Sequence, residues 1–168
     1  WYVSCDYGTS TVMTWGLYAK LPNGVVLKVK EYYYDAVKER QQKADSDFGA
    51  IFQRWLGKIY PWIVYCDPSA SSWKAELRKR GYRVLDGDND VLNGIRYVGN
   101  MLTTKTYYID KSCLNTIKEY ESYVWDKKAQ LKGLDKPLKE HDHTCDGDRY
   151  MLYTDALFGI SGVYSRRN

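Results

Sequence analysis

Three β-prone stretches follow one another before residue 35, and beyond it short apolar runs alternate with stretches of helical period. That order admits a mixed sheet with helices laid on its faces, an α/β architecture. Trp1 to Asp6 is the first stretch and ends at Gly8; Met13 to Lys20 is the second; the turn Pro22-Asn23-Gly24 leads into the third, Val25 to Tyr34. In it Val25, Leu27 and Val29 alternate against Val26, Lys28 and Lys30, and the three stretches read as an antiparallel meander. Phe48, Ile51, Phe52, Trp55, Leu56 and Ile59 recur at spacings of three and four, which predicts a helix over Asp45 to Ile59, with Asp45, Ser46 and Asp47 as capping oxygens.

Trp62 to Cys66 is continuously apolar, the pattern of a strand buried on both faces, and Asp67-Pro68 closes it. A helix through Trp73, Leu77 and Arg80 follows, capped by Ser69 or Ser71 and stopped at Gly81. Further expectations are a strand over Tyr82 to Leu85 and a helix over Asp88 to Leu102 with Val91, Leu92, Ile95, Val98 and Leu102 on one side. A strand over Thr106 to Ile109 comes next, then a helix capped by Ser112 and bearing Leu114, Ile117, Tyr120 and Val124. The last helix runs from about Asp142 to Ile160, and the Lys-rich segment between Trp125 and Glu140 reads as a loop or hairpin.

At 168 residues the chain fits one domain, and 44% hydrophobic with 27% charged residues excludes a disordered chain. No apolar run approaches the roughly 18 residues that span a bilayer. The net charge of +4 permits a polyanionic partner without demanding one. Tyrosine is unusually abundant at 17 residues, and amphipathic packing at the core edge accounts for most of them. Cys5, Cys66, Cys113 and Cys145 form no C-x-x-C pair, which favours reduced thiols in a cytoplasmic setting. The chain opens inside a strand without an initiator Met, so it is expected to be one domain, 1–168, excised from a longer protein.

Chemistry-bearing residues gather in three places. Alternation puts Asp6 with Ser4 and Tyr2 on one face and Cys5 with Val3 on the other, and Asp67 repeats the arrangement after the second apolar strand. If those strands are neighbours, Asp6 and Asp67 meet at the carboxyl edge of the sheet, where open α/β sheets place ligands. The third place is H-D-H-T-C-D-G-D-R-Y at 141–150, where His143 and Asp146 share a helix face. Ionised carboxylates so gathered repel one another and call for hard divalent cations such as Mg²⁺ or Mn²⁺. Each feature also has a plainer reading: strand-end aspartates serve turns, and the 141–150 string serves as a polar helix start. A zinc site using His141, His143 and Cys145 lacks a fourth ligand of recognisable spacing.

Y-V-S-C-D-Y-G at 2–8, Y-C-D-P-S-A-S-S-W-K-A-E-L-R-K-R-G-Y at 65–82, D-N-D-V-L-N-G-I-R-Y-V at 88–98 and H-D-H-T-C-D-G-D-R-Y at 141–150 together span nearly the whole chain. In that order they resemble the C-terminal nuclease domain of the large terminase subunit of tailed bacteriophages, a ribonuclease H-like family. The resemblance implies a ribonuclease H-like mixed central sheet flanked by helices on both faces, with Asp6, Asp67 and Asp146 as metal-binding catalytic carboxylates. It implies a catalytic role for His143, as water holder, proton carrier or tuner of a metal, and leaves Asp148 at most an auxiliary acid. Cys145 and Gly147 depart from the family pattern, and Gly147 is expected to loosen the helix after Asp146.

By the same resemblance the chain is a divalent-metal-dependent endodeoxyribonuclease that cuts concatemeric viral DNA during genome packaging, with two Mg²⁺ or Mn²⁺ ions clamping the phosphodiester. Expected partners are double-stranded DNA and, for the full-length protein, a small terminase subunit and a portal, with no membrane, in the cytoplasm of the infected bacterial host. No G-x-x-x-x-G-K-[ST] occurs, so an N-terminal ATPase domain is expected to be absent from this chain. Lys127, Lys128, Lys132, Lys136 and Lys139 are the candidate DNA contacts, with Arg78, Lys79, Arg80 and Arg83 as a second patch; ordinary solvated surface charge is the alternative for both. Two other functions stay open: a junction resolvase or transposase of the same fold, and a DNA-binding module without catalysis.

Overall fold

The computed structural model describes residues 1–131, 133, 136–138 and 140–160, with the backbone path alone at 128, 129, 159 and 160. Along the chain come β1 (Tyr2–Asp6), β2 (Val12–Lys20), β3 (Val26–Asp35), α1 (Asp45–Leu56), β4 (Ile63–Cys66), α2 (Ser71–Lys79) and β5 (Val84–Asp86). They are followed by α3 (Val91–Thr103), β6 (Tyr107–Ile109), α4 (Leu114–Ser122), the single turn α5 (Lys127–Gln130) and α6 (His143–Ile160). The strands form one sheet in the order β5-β4-β1-β2-β3-β6. β2 is antiparallel to both of its neighbours, and the other adjacent pairs are parallel. This is a ribonuclease H-like mixed sheet.

Period-two alternation sorts the side chains. Val3, Cys5, Val64, Cys66, Trp15 and Leu17 face α1 and α2, meeting Phe48, Phe52, Trp73 and Leu77. There Trp15 stacks on Trp73 at 5.8 Å and takes the Phe52 ring edge-on at 5.0 Å. Tyr18, Ile63 and Tyr65 face the other way, toward Val98 and Met101 of α3 and Met151 and Leu152 of α6. β1 and β4 run parallel with Cys5 opposite Cys66, and the four cysteines are buried as free thiols.

Several local expectations are corrected. α1 stops at Leu56, not Ile59, because Gly57 takes φ +63°. The N-cap residues of α1, α2 and α4 make no capping hydrogen bond with their own side chains; Asp45 instead accepts the Tyr7 hydroxyl at 2.9 Å. At α4 the Glu31 carboxylate of β3 accepts the N–H groups of Asn115 and Thr116 at 2.8 and 2.9 Å, doing the work expected of Ser112. α4 buries Thr116 and Glu119 and leaves Leu114 exposed, and it ends at Ser122, before Val124, which is exposed as well. α3 buries Gly94, Val98 and Met101, with Leu102 exposed near its end.

β3 departs most. The register against β2 slips between Leu17, opposite Lys30, and Tyr18, opposite Lys28, so Val29 is an extra residue. Val26 and Lys28 are buried while Val25, Leu27 and Val29 are only half-buried. Lys28 is accepted inside because its ammonium donates to Asp148 of α6 at 2.6 Å, where both side chains are almost wholly withdrawn from solvent. Tyr18, Tyr107 and Tyr120 donate their hydroxyls to the same carboxylate.

Candidate active site

Asp6 ends β1, and Asp67 follows β4 directly. The Asp67 N–H donates to the Cys5 carbonyl at 3.0 Å, which carries the β1–β4 ladder one step past its last strand pair. The two carboxylates are thereby adjacent at the carboxyl edge, parallel strands lying about 4.8 Å apart. Across β1, Asp6 pairs with Thr14 and Thr14 with Tyr33, so Asp67, Asp6, Thr14 and Tyr33 form a row along that edge.

α6 delivers the third acid. Its first turn lies against β1 and β2, where the Thr14 hydroxyl donates to the His143 carbonyl at 3.3 Å. A Cβ at Gly147 would stand 3.1 Å from Ser4 Oγ, itself held by Tyr18 at 2.8 Å. Gly147 therefore does not loosen a continuous helix; it lets the helix come down close to the sheet, with Asp146 beside Asp6.

The electrostatics register this gathering. Burial pushes the Asp6 carboxyl up, the charges of Asp146 and Asp67 push it further, and His143 opposes them. His143 Nδ1 sits 2.9 Å from Asp6 Oδ2, and that hydrogen bond raises the imidazole, favouring a proton on Nδ1 donated to the carboxylate. Tyr150, packed over Gly87, has its phenol raised by burial and then by Asp67, Asp146 and Asp6, so one ring feels the three acids together.

Each acid also has a protein donor. Asp67 Oδ1 accepts the Ser69 N–H at 2.8 Å, and Asp146 Oδ1 accepts Arg149 Nη2 at 3.2 Å. Arg149 is buried, its Nη1 donates to the Asp88 carbonyl at 2.9 Å, and its stem passes over Gly94, where a Cβ would come within 2.5 Å of it. The donor chemistry, three carboxyl groups gathered where burial first and then the neighbouring acids raise Asp6, fits a hard divalent cation. Among the described residues no three His, Cys, Asp or Glu side chains are already drawn into a coordinating group, so the acids neighbour one another without forming a closed cage.

Other sequence candidates fall elsewhere. Asp148 lies in the buried cluster with Lys28 and three phenols, which removes it as an auxiliary acid. The zinc trio does not assemble: His141 lines a separate cleft, His143 faces Asp6 and Cys145 lines a cavity with Arg149. Lys127 and Lys136 are exposed, Lys128 lies in α5, and Lys132 and Lys139 lie outside the described residues. Among the described residues of that segment, Trp125 and Pro137 form an antiparallel bridge. Of the second patch, Arg80 is occupied by Glu76, Gln53 and Ser46, Arg78 reaches the Val84 carbonyl and Arg83 lies over Trp62. Sequence reasoning gave Arg149 and Tyr150 no role, although both stand in the 141–150 string, and it missed Glu119, which no pattern marks.

No protein-family model matches the chain, nor does any curated protein. Among solved structures, the large terminase of the thermophilic bacteriophage D6E is 46% identical with a TM-score of 0.87, over 91% of this chain and 38% of that one. The nuclease domain of g2p, the large terminase of bacteriophage SPP1, crystallised with bound Mn, superposes with a TM-score of 0.64 at 16% identity, over 91% of this chain and 85% of that one. A yeast mitochondrial Holliday junction resolvase shares the fold at a TM-score of 0.50 and 12% identity, over 96% and 82% of the two chains. The chain thus spans under two fifths of the D6E protein's length.

Proposed function

The chain belongs with the nuclease domains of bacteriophage large terminases, and on that premise we propose that it is a divalent-metal-dependent endodeoxyribonuclease that cuts viral DNA during genome packaging. The observation that carries the reading is the convergence of Asp6, Asp67 and Asp146 at one sheet edge. The SPP1 relative's bound Mn adds support for a metal centre.

Asp6, Asp67 and Asp146 are the residues that would hold two Mg²⁺ or Mn²⁺ ions, with Asp6 on an inner strand of the sheet next to the strand that Asp67 follows. When bound, such ions supply a hydroxide nucleophile and neutralise the leaving 3′ oxygen. The protein's own groups do the rest. His143 keeps a proton on Nδ1 against Asp6, which orients that carboxylate and leaves Nε2 to hold a water or pass a proton. Arg149 fixes the Asp146 carboxylate from behind. The exposed Lys127 and Lys136, with Lys128, Lys132 and Lys139 of the same Lys-rich segment, are the candidates to contact the phosphate backbone. In the whole protein this domain acts on concatemeric DNA with a small terminase subunit and a portal, in the host cytoplasm, downstream of an ATPase domain. No helix among the described residues is long and apolar enough to cross a membrane.

The test is plasmid cleavage in EDTA, Mg²⁺ and Mn²⁺, with Asp6→Asn, Asp67→Asn and Asp146→Asn alongside. Cutting that needs a divalent ion and disappears in each folded variant upholds the reading. Plasmid binding without cleavage in either ion rejects it in favour of a binding module, and preferential cutting of four-way junctions redirects it to a resolvase.

A further inference from the structure

Asp67 opens a short turn between β4 and α2, and the carbonyls of that turn are nearly all taken by main-chain donors. The Asp67 carbonyl accepts the Ala70 N–H at 3.0 Å, the Ser69 carbonyl the Ser71 N–H at 2.8 Å and the Ala70 carbonyl the Lys74 N–H at 2.9 Å. The Pro68 carbonyl differs, because a side chain takes it: Lys74 Nζ donates to it at 2.7 Å. The same ammonium donates at 2.6 Å to Asp86 Oδ1, at the end of β5, where Asp86 pairs with Cys66 across the ladder. One ammonium thus straps α2, the turn after β4 and the end of β5 together.

Stability does not call for a lysine at this position. Lys74 is 6% exposed and shares the buried side of α2 with Trp73 and Leu77, where an apolar side chain would bury well. A buried ion pair is often no better for stability than such a replacement, so the lysine's distinctive contribution is geometric. Its geometry leads straight to Asp67. Pro68 confines the residue before it to extended backbone, and Asp67 Oδ1 accepts the Ser69 N–H at 2.8 Å. That N–H and the Pro68 carbonyl belong to the same peptide unit, which is trans and planar, so they point in opposite directions. Lys74 grips one side of the plate and Asp67 hangs from the other. A shift or tilt of that plate re-aims the carboxylate. Resting on the nuclease reading above, we propose that Lys74 is a positioning residue for Asp67, acting through the Pro68–Ser69 peptide to aim that carboxylate at the metal centre.

The test titrates Mn²⁺ calorimetrically into the whole chain, which reads the site without catalysis. Lys74→Met keeps the stem and removes the ammonium, and is expected to weaken Mn²⁺ binding about 10-fold, as the loss of a group that orients a metal ligand does. Asp86→Asn, on an exposed residue that keeps an acceptor for the ammonium, weakens it by a smaller factor. Leu77→Val loosens the same helix without touching the strap; it lowers the melting temperature and leaves Mn²⁺ binding unchanged. In the metal-free chain the Ser69 amide exchanges its hydrogen about 10-fold faster in Lys74→Met than in wild type, and at the wild-type rate in Leu77→Val. Mn²⁺ binding in Lys74→Met within about twofold of wild type, or an equal loss in Leu77→Val, overturns the assignment. If Lys74→Met does not melt cooperatively, unchanged Mn²⁺ binding in Asp86→Asn overturns it instead. A wild-type chain that takes up no Mn²⁺, while Ser69 exchange still quickens in Lys74→Met, rejects the nuclease reading and keeps the strap on Asp67, which separates the two failures.

Discussion

Replacing Lys28 by Met removes one charge from a site withdrawn from solvent, and the cost can be worked from its geometry. Asp148 is fully buried and accepts one ammonium and three phenols, with the Lys28 contact at 2.6 Å. At an effective dielectric of about 20, a 2.6 Å pair is worth about 6 kcal/mol before desolvation. Sparing the ammonium its desolvation returns part of that, and losing one partner of a buried pair typically costs about 3–5 kcal/mol. The whole domain has about 5–15 kcal/mol to lose. Lys28→Met is therefore expected to lower the urea-unfolding free energy by about 3–5 kcal/mol and the melting temperature by roughly 6–20 °C. The double variant Lys28→Met with Asp148→Asn, in which neither group is charged, is expected to be more stable than the sum of the singles by about 2 kcal/mol or more. A loss under about 1 kcal/mol for Lys28→Met, or strict additivity in the double, would falsify the account of Asp148 as a charge held by the core.

Arg149→Met, which takes the Arg149 donor from Asp146 without removing the acid, is expected to slow plasmid cleavage by about 10–100-fold and to raise the Mn²⁺ concentration at half activity, while the melting curve shows the fold intact. Gly94→Ala pushes the Arg149 stem, and the crowding outweighs the gain in helix propensity; a net loss of about 1–2 kcal/mol in urea, with a parallel loss of cleavage, is expected. Burial and the Asp148 charge raise the phenols of Tyr18, Tyr107 and Tyr120 well above their ordinary value. The fold therefore keeps these protons when the unfolded chain would release them, and stability is full below about pH 10 and falls as the pH rises beyond it. Absorbance at 295 nm followed with near-ultraviolet circular dichroism checks this, since these phenolates should appear only as tertiary signal is lost.

The parts of the fold that follow from local alternation were open to reading. Asp6 and Asp67 each end a strand of clear period, and parity places both on the face opposite Cys5 and Cys66, which is where the register puts them. The two acids of α6 were separable in principle: Asp146 and Asp148 are about 200° apart on a helix, so only one can face the sheet edge. What spacing could not tell is that the other finds Lys28, 120 positions away, inside the protein. Capping of α4 by Glu31, 84 residues earlier, and the anchoring of Thr144 by Glu119 are contacts of the same kind. The amphipathic reading of α4 holds for Tyr120, which packs against the core between the sheet, α3 and α6, and fails at Leu114, because elsewhere the helix meets the β3 carboxylate and the start of α6 rather than an apolar surface.

Both outermost strands, β5 and β6, are three residues long, whereas β2 and β3 inside the sheet have nine and ten. A second copy approaching either border finds room for only a few main-chain hydrogen bonds before the strand ends, and at β5 it meets Asp86, which pairs with Lys74 at 2.6 Å. Crowding many copies together thus gives little opportunity for strand-by-strand growth from β5 or β6.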